Sequence, residues 1–303
     1  MAVSGFHGIK NRGHACYAAA CLHIAASMQD HLPDLFSSLD LISLVRTTRC
    51  SSNLPPISLP MDFLSSLNDN PLVENCVLDS FDSLISKHAL ETYLSFDKLC
   101  STQCLGCSAR FSSTSVDKFL YIATPINSAT SLSSLIPLAL KDETIVKYNC
   151  PCGATRRRSL VEVTHVRNFI LIGFKRSLSN FNKNHSVIDS PLTLSVLNRS
   201  FLLKAVVLHH GLTANDGHYT SLVETATGWL HCNDSLITTV PNIVNFLTQK
   251  EIASAATLWF YVFDPLAGLN SPRITRSKTK SLSSLKSALA RCSSGPSKNT
   301  RPS

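Results

Sequence analysis

The chain has 303 residues with 28 Lys+Arg and 20 Asp+Glu, a formal charge of +8, and 44% of it is hydrophobic. That length gives one large domain or two small ones with a sizeable core, and the composition excludes wholesale disorder. No acid follows Asp264, and Arg273, Arg276, Lys278, Lys280, Lys286, Arg291, Lys298 and Arg301 carry the whole positive excess, so residues 1–264 balance to zero and a globally basic nucleic-acid-binding fold is poorly supported.

In chain order, a Gly-rich loop leads to residues 16–29, which lack Gly and Pro and predict a helix. The same region could be misread as a secretory leader, with Lys10 and Arg12 before an apolar Cys16–Ala26, but it is Ala-rich and broken by His23. Residues 30–95 show short helical patterns punctuated by Pro33, Pro55, Pro56, Pro60 and Pro71, and residues 96–160 hold two Cys clusters. From 161 the texture turns to β. Val161–Thr164 alternates, and 169–174, 201–208, 219–224, 228–231 and 258–263 read as strands. Helices followed by antiparallel-looking strands predict an α+β fold. Residues 269–303, rich in Ser, Thr, Lys, Arg and Pro, read as a disordered basic tail; only there is nucleic-acid binding plausible, and the tail has no aromatic residue to stack on bases. No apolar run reaches the ~18 residues of a membrane span.

The 11 Cys residues are odd in number and unevenly spaced, which suits metal binding in a reducing compartment, hence an intracellular, cytoplasmic or nuclear protein, better than a disulfide framework. Cys104-Leu105-Gly106-Cys107 and Cys150-Pro151-Cys152 are two close pairs which, on separate hairpins, can form a tetrahedral Cys₄ zinc site, although the second is C-x-C rather than C-x-x-C.

Cys16 sits where the Gly-rich loop enters the helix, and a thiolate there is stabilised by unpaired N–H groups and the helix dipole. Asn11 in that loop carries an amide able to donate to an oxyanion. His218 follows a Gly-containing turn at the start of a strand, a rigid mount for a general base, and Asn233 or Asp234 could fix its tautomer. Alone, Cys16 would read as a buried helical cysteine and His218 as a turn histidine; their joint occurrence decides otherwise.

Gly8, Ile9, Asn11, Gly13, Cys16 and Tyr17 match in order the G-[LI]-x-N-x-G-x-x-C-Y box of ubiquitin-specific proteases. His209, Gly211, Gly217, His218 and Tyr219 resemble the family's H-x-G…G-H-Y pattern, and Trp229, Asn233 and Asp234 its following W-x-x-[FY]-[DN]-D segment. Residues 169–176 and 258–263 resemble two further family strands. The chain thus resembles this family of papain-like cysteine proteases across about 5–264. The resemblance implies a thumb–palm–fingers architecture in a catalytic domain at 5–265, with thumb 5–95, fingers 96–160 and palm 161–265.

It also implies a thiol-dependent deubiquitinase that hydrolyses the isopeptide or peptide bond after the C-terminal glycine of ubiquitin, with ubiquitin and ubiquitinated proteins as partners. Cys16 would be the nucleophile, His218 the base and acid, Asn233 the third triad member with Asp234 sharing that role, and Asn11 an oxyanion donor. Cys104, Cys107, Cys150 and Cys152 would hold a structural zinc in the fingers, with no catalytic cofactor. His14, Ala15, Ala19, His23 and Cys232 depart from the usual pattern. They leave open a ubiquitin-like modifier or polyprotein as substrate, or a non-catalytic ubiquitin-binding pseudo-enzyme.

Overall fold

A computed structural model describes residues 5–11, 13, 15–29, 31, 46–47, 56–67, 76–88, 90–122, 129–178, 182–213 and 216–267. The basic tail 269–303 lies outside these residues, as do Arg12, His14, Asn215, Pro33, Pro55 and Pro71. The chain divides into Met1–Asp264 and Pro265–Ser303, and the first of these units carries the fold.

Its N-terminal part contains β1 (Gly5–Phe6), β2 (Ile9–Lys10), α1 (Cys16–Met28), β3 (Arg46–Thr47), β4 (Ile57–Ser58), α2 (Met61–Leu67), α3 (Val77–Lys87) and α4 (Glu91–Leu94), with β1 paired to β3 and β2 to β4. Then come β5 (Phe96–Cys104), β6 (Arg110–Asp117), β7 (Phe119–Tyr121), β8 (Ala129–Ser131), α5 (Leu132–Leu140), β9 (Lys141–Lys147), β10 (Arg156–Val166) and β11 (Phe169–Gly173). The remainder is β12 (Val187–Asp189), β13 (Thr193–Val196), β14 (Arg199–His210), β15 (His218–Thr225), β16 (Gly228–Asn233), β17 (Leu236–Val240), α6 (Ile243–Leu247), α7 (Lys250–Ala253) and β18 (Ala256–Phe263).

Two sheets organise these elements. One is antiparallel, in the order β6-β5-β10-β9; the other runs β17-β16-β15-β14-β18-β11-β7, with β13 beside β14 and a single parallel pair, β11 with β7. Strand β7, which follows β6 in the chain, belongs to the large sheet, and β8 pairs with β12, so the chain leaves the small sheet after β6 and returns to it at β9.

The large sheet is covered on both faces. On β14 and β18, Ala205, Val207, Leu258 and Phe260 face one core cluster, whereas Val206, Leu208, Trp259 and Tyr261 face another. Double burial is why 258–263 reads as an unbroken apolar run rather than an alternation. The polar tips are satisfied: Trp259 Nε1 donates to Ser190 Oγ at 2.7 Å and Tyr261 Oη to the Pro191 carbonyl at 2.7 Å.

Helix α1 fills the first cluster. Every residue from Cys16 to Met28 is buried, so it has no polar face, as expected of a helix inside a core. Its alanines let it lie close against β15, with α3 behind it through Val77, Leu78, Phe81, Leu84 and Ile85.

The small sheet differs from expectation, since strands begin at 96 and not at 161. Strands β6 and β9 are exposed along nearly their whole length. Strands with little to bury need no period-2 apolar pattern, so β6 and β9 carry no alternation to read, whereas Val161–Thr164, read as alternating, lies in β10. Helix α5 was also unread, because Pro137 sits inside it. Among the described residues no helix is long and apolar enough to cross a membrane.

Candidate active site

Cys16 is the first residue of α1, and the packing of α1 on β15 brings it to the strand that opens with His218. No side chain caps the helix, so its leading N–H groups remain oriented toward the sulfur end. The loop before it is braced by Asn11, whose Oδ1 accepts from the backbone N–H of Gly13 at 3.0 Å and of Ala15 at 3.1 Å. Its Nδ2 donates to Asp234 Oδ2 at 3.1 Å.

His218 stands between two partners. Its Nε2 donates to Asn233 Oδ1 at 2.7 Å, and the Cys16 side chain is the neighbour that acts most strongly on the ring. One ring nitrogen serves Asn233, which leaves Nδ1 for the thiol. Asp234 Oδ2 is 3.8 Å from Nε2, beyond hydrogen-bond reach but near enough to act as a charge. The Cys16 bond foremost, then Asn233 and the Asp234 charge, outweigh desolvation and push the His218 pKa up to about 9. The site therefore favours imidazolium at neutral pH.

Asn233 ends β16, and Asp234 turns the chain with φ +49°, a left-handed conformation that Asp tolerates. That turn is stitched to the segment before the nucleophile: the Ile9 N–H donates to the Asp234 carbonyl at 2.7 Å. A Cβ on Gly8 would lie 2.2 Å from the Ser235 carbonyl oxygen, so only glycine lets the two strands of chain touch. Gly8→Ala is expected to push the Asn11 loop off the Asn233–Asp234 turn. The check is thiol reactivity of Cys16 toward a small alkylating agent, which should fall several-fold with the far-UV circular dichroism unchanged.

Gly217 plays the same part on the other wall. Its Cβ would meet the His210 carbonyl oxygen at 2.2 Å and His209 Nε2 at 2.6 Å. Its requirement is thus the close crossing of β14 and β15 before His218. His209 stacks on Tyr219, centroids 4.5 Å apart, and burial holds its pKa down to about 4, so it stays neutral.

Two residues here have structural roles that the sequence does not disclose. Buried Lys183 donates through Nζ to the carbonyls of His209 at 2.5 Å and Gly211 at 3.0 Å, latching the end of β14 beside the turn that leads to His218. His23, inside α1, holds the His7 carbonyl through Nε2 at 3.3 Å and meets Phe6 edge-on, anchoring the chain ahead of the Cys16 loop. Neither carries a spacing signal, because each works by a long-range bond to backbone.

The Cys pairs occupy the β5–β6 and β9–β10 turns of the small sheet. The sulfurs of Cys104, Cys107, Cys150 and Cys152 all lie within 4.8 Å of one another. Cys104 and Cys152 are 3.6 Å apart and Cys107 and Cys150 3.8 Å, far beyond a disulfide bond of about 2.05 Å. Tetrahedral coordination with metal–sulfur bonds of about 2.3 Å separates ligands by about 3.8 Å, so the four positions fit one ion. The C-x-C turn reaches this geometry with Gly153 at φ +86°. Backbone N–H groups of Cys107 and Gly106 point at Cys104 and bring its pKa down to about 6, readying a thiolate.

The family model for ubiquitin carboxyl-terminal hydrolases matches residues 101–261. The chain belongs to that family. The matched span contains His218, Asn233, Asp234 and the four clustered cysteines, while Cys16 and Asn11 lie ahead of it and are joined to it by the fold. A curated relative, the probable ubiquitin carboxyl-terminal hydrolase 4 of Schizosaccharomyces pombe, is 26% identical over 239 residues, covering 70% of this chain and 39% of that protein. The chain thus spans about two fifths of that relative's length. Among solved structures, the SAGA Ubp8/Sgf11/Sus1/Sgf73 DUB module bound to ubiquitin aldehyde matches with a TM-score of 0.62 at 18% identity, over 86% of this chain and 70% of the other. The same module bound to monoubiquitin matches with a TM-score of 0.62 at 19% identity, over 86% and 69%. The fold is the papain-like one of ubiquitin-specific proteases.

Proposed function

We propose that the chain is a thiol-dependent deubiquitinase cleaving the isopeptide or peptide bond after the C-terminal glycine of ubiquitin. The observation that carries this reading is His218 held between Cys16 and Asn233 within a fold of this family. Cys16 attacks the glycine carbonyl as a thiolate paired with the His218 imidazolium, and Asn233 fixes the ring. The oxyanion forms beside the uncapped N-terminus of α1. Asn11 gives one amide hydrogen to Asp234 and keeps its second for the oxyanion. His218 then protonates the leaving amine, accepts a proton from water, and the thioester is hydrolysed. Residues 5–95, 96–160 and 161–265 serve as thumb, fingers and palm around this cleft.

The test is reaction of the full chain with ubiquitin bearing a C-terminal electrophile. One covalent adduct is expected, lost in Cys16→Ser. Adducts only with another modifier would transfer the reading to a ubiquitin-like substrate; adduct formation unaffected by Cys16→Ser would overturn it.

We further propose that Cys104, Cys107, Cys150 and Cys152 hold one structural zinc that clamps the two turns of the small sheet. With its exposed outer strands, that sheet has little core of its own to hold them. One zinc per chain is expected by elemental analysis. Cys150→Ser should lose it and lower the melting temperature by several degrees, whereas full stability with no bound metal would remove the assignment.

A further inference from the structure

At the root of the small sheet, where β5 enters and β10 leaves, a cavity of about 420 Å³ opens between α4 and the start of β14. Its wall carries Arg167, Arg199 and His165 and no acid. Arg199 is fixed in place: one guanidinium nitrogen donates to the carbonyls of Val166 at 2.5 Å and Arg167 at 3.0 Å, and the other to Asn168 Oδ1 at 2.7 Å. The Phe263 and Phe201 rings flank it, centroids 4.1 and 5.4 Å away. Among the described residues it forms no ion pair. Arg167 is tied through Nε to Ser95 at 3.1 Å and forms an ion pair with Asp97 at 3.4 Å. Arg167 is thus paired with Asp97, which is outside the wall, while Arg199 and the exposed His165 bring two further donor groups to it.

We infer that this cavity is a binding site for a small phosphate-bearing molecule. A tetrahedral oxyanion of charge near −2 offers acceptors in several directions and suits a cavity lined by Arg167, Arg199 and His165, whereas a carboxylate fills a single fork. The volume is at the lower end of small-molecule sites, and Tyr93 and Phe169 give the non-phosphate part an aromatic floor. Both chain crossings into the small sheet, at 95–97 and 165–168, bear on the wall through Arg167, so occupancy stiffens that joint. The site is separate from Cys16 and His218 and stands whether or not the chain cleaves ubiquitin.

The experiment is calorimetric titration of the full chain with inorganic phosphate, pyrophosphate and a hexose phosphate, with acetate as control, at constant ionic strength. Saturable one-to-one binding is expected for at least one phosphate compound, and the best of the three distinguishes free phosphate from an ester. His165→Glu, at an exposed position that holds no backbone, should weaken it by roughly tenfold or more with an unchanged melting temperature. Amide exchange in 92–97 and 165–168 should slow when phosphate is added. Absence of saturable binding to all three, acetate binding as tightly as phosphate, or undiminished binding by His165→Glu would each overturn the inference.

Discussion

Replacing His218 with alanine is expected to lower kcat/KM for a ubiquitin-linked substrate by roughly 10³–10⁴-fold while leaving ubiquitin affinity within a few-fold. The ring contacts the thiol and Asn233, and only about a third of it is exposed, at 34%. The retained affinity follows because the rest of the domain, including the small sheet, is untouched by the change. The pH profile separates this from a folding defect. In the parent chain the imidazolium persists until pH nears its pKa of about 9, so kcat/KM should fall on the basic side near that value. In the variant that basic limb should be absent, since the ring that sets it is gone. The same linkage sets a sign for stability. A histidine pKa raised by folding contributes fully below its ordinary value of ~6.5 and loses that contribution as pH rises toward the folded value. Exposure keeps the effect small. Near-normal turnover by His218→Ala would remove it as the base.

What the sequence discloses and what it hides follow from how each element meets its surroundings. Helix α1 and strands β11, β14, β15 and β18 are legible because they are buried, and burial writes a pattern of apolar residues. The small sheet writes one only at Val161–Thr164, inside β10, and otherwise its cysteines alone mark it. At the site, Cys16 and His218 are legible through their glycine-bearing loops. The steric reason for those glycines, contact of Gly8 with Ser235 and of Gly217 with His210, appears only once distant segments meet. Asn11 is the instructive case. Sequence marks its amide as an oxyanion donor, yet its Oδ1 braces the Cys16 loop and its Nδ2 binds Asp234, so its first observable task is to couple the loop to the turn that orients His218.

That coupling gives Asn233 and Asp234 different work, which their adjacency conceals. Asn233 supplies the hydrogen bond at 2.7 Å; Asp234 supplies charge at 3.8 Å and the acceptor for Asn11. Asn233→Ala should free the ring to rotate and cost roughly 10²-fold or more in kcat with little change in KM. Asp234→Asn preserves an acceptor for Asn11 while deleting the charge, so its loss should be several-fold smaller at neutral pH. Because the Asp234 carboxylate helps raise the His218 pKa, that variant should shift the basic limb to lower pH, and Asn233→Ala should do so as well through its lost hydrogen bond. Asp234→Ala removes charge and acceptor together and should lose more rate than Asp234→Asn, the difference measuring the brace on Asn11. If Asp234→Asn proved the more damaging change and Asn233→Ala nearly silent, the orienting role would pass from the hydrogen-bonded amide to the carboxylate, and His218 would have to turn toward Asp234 in the reacting complex.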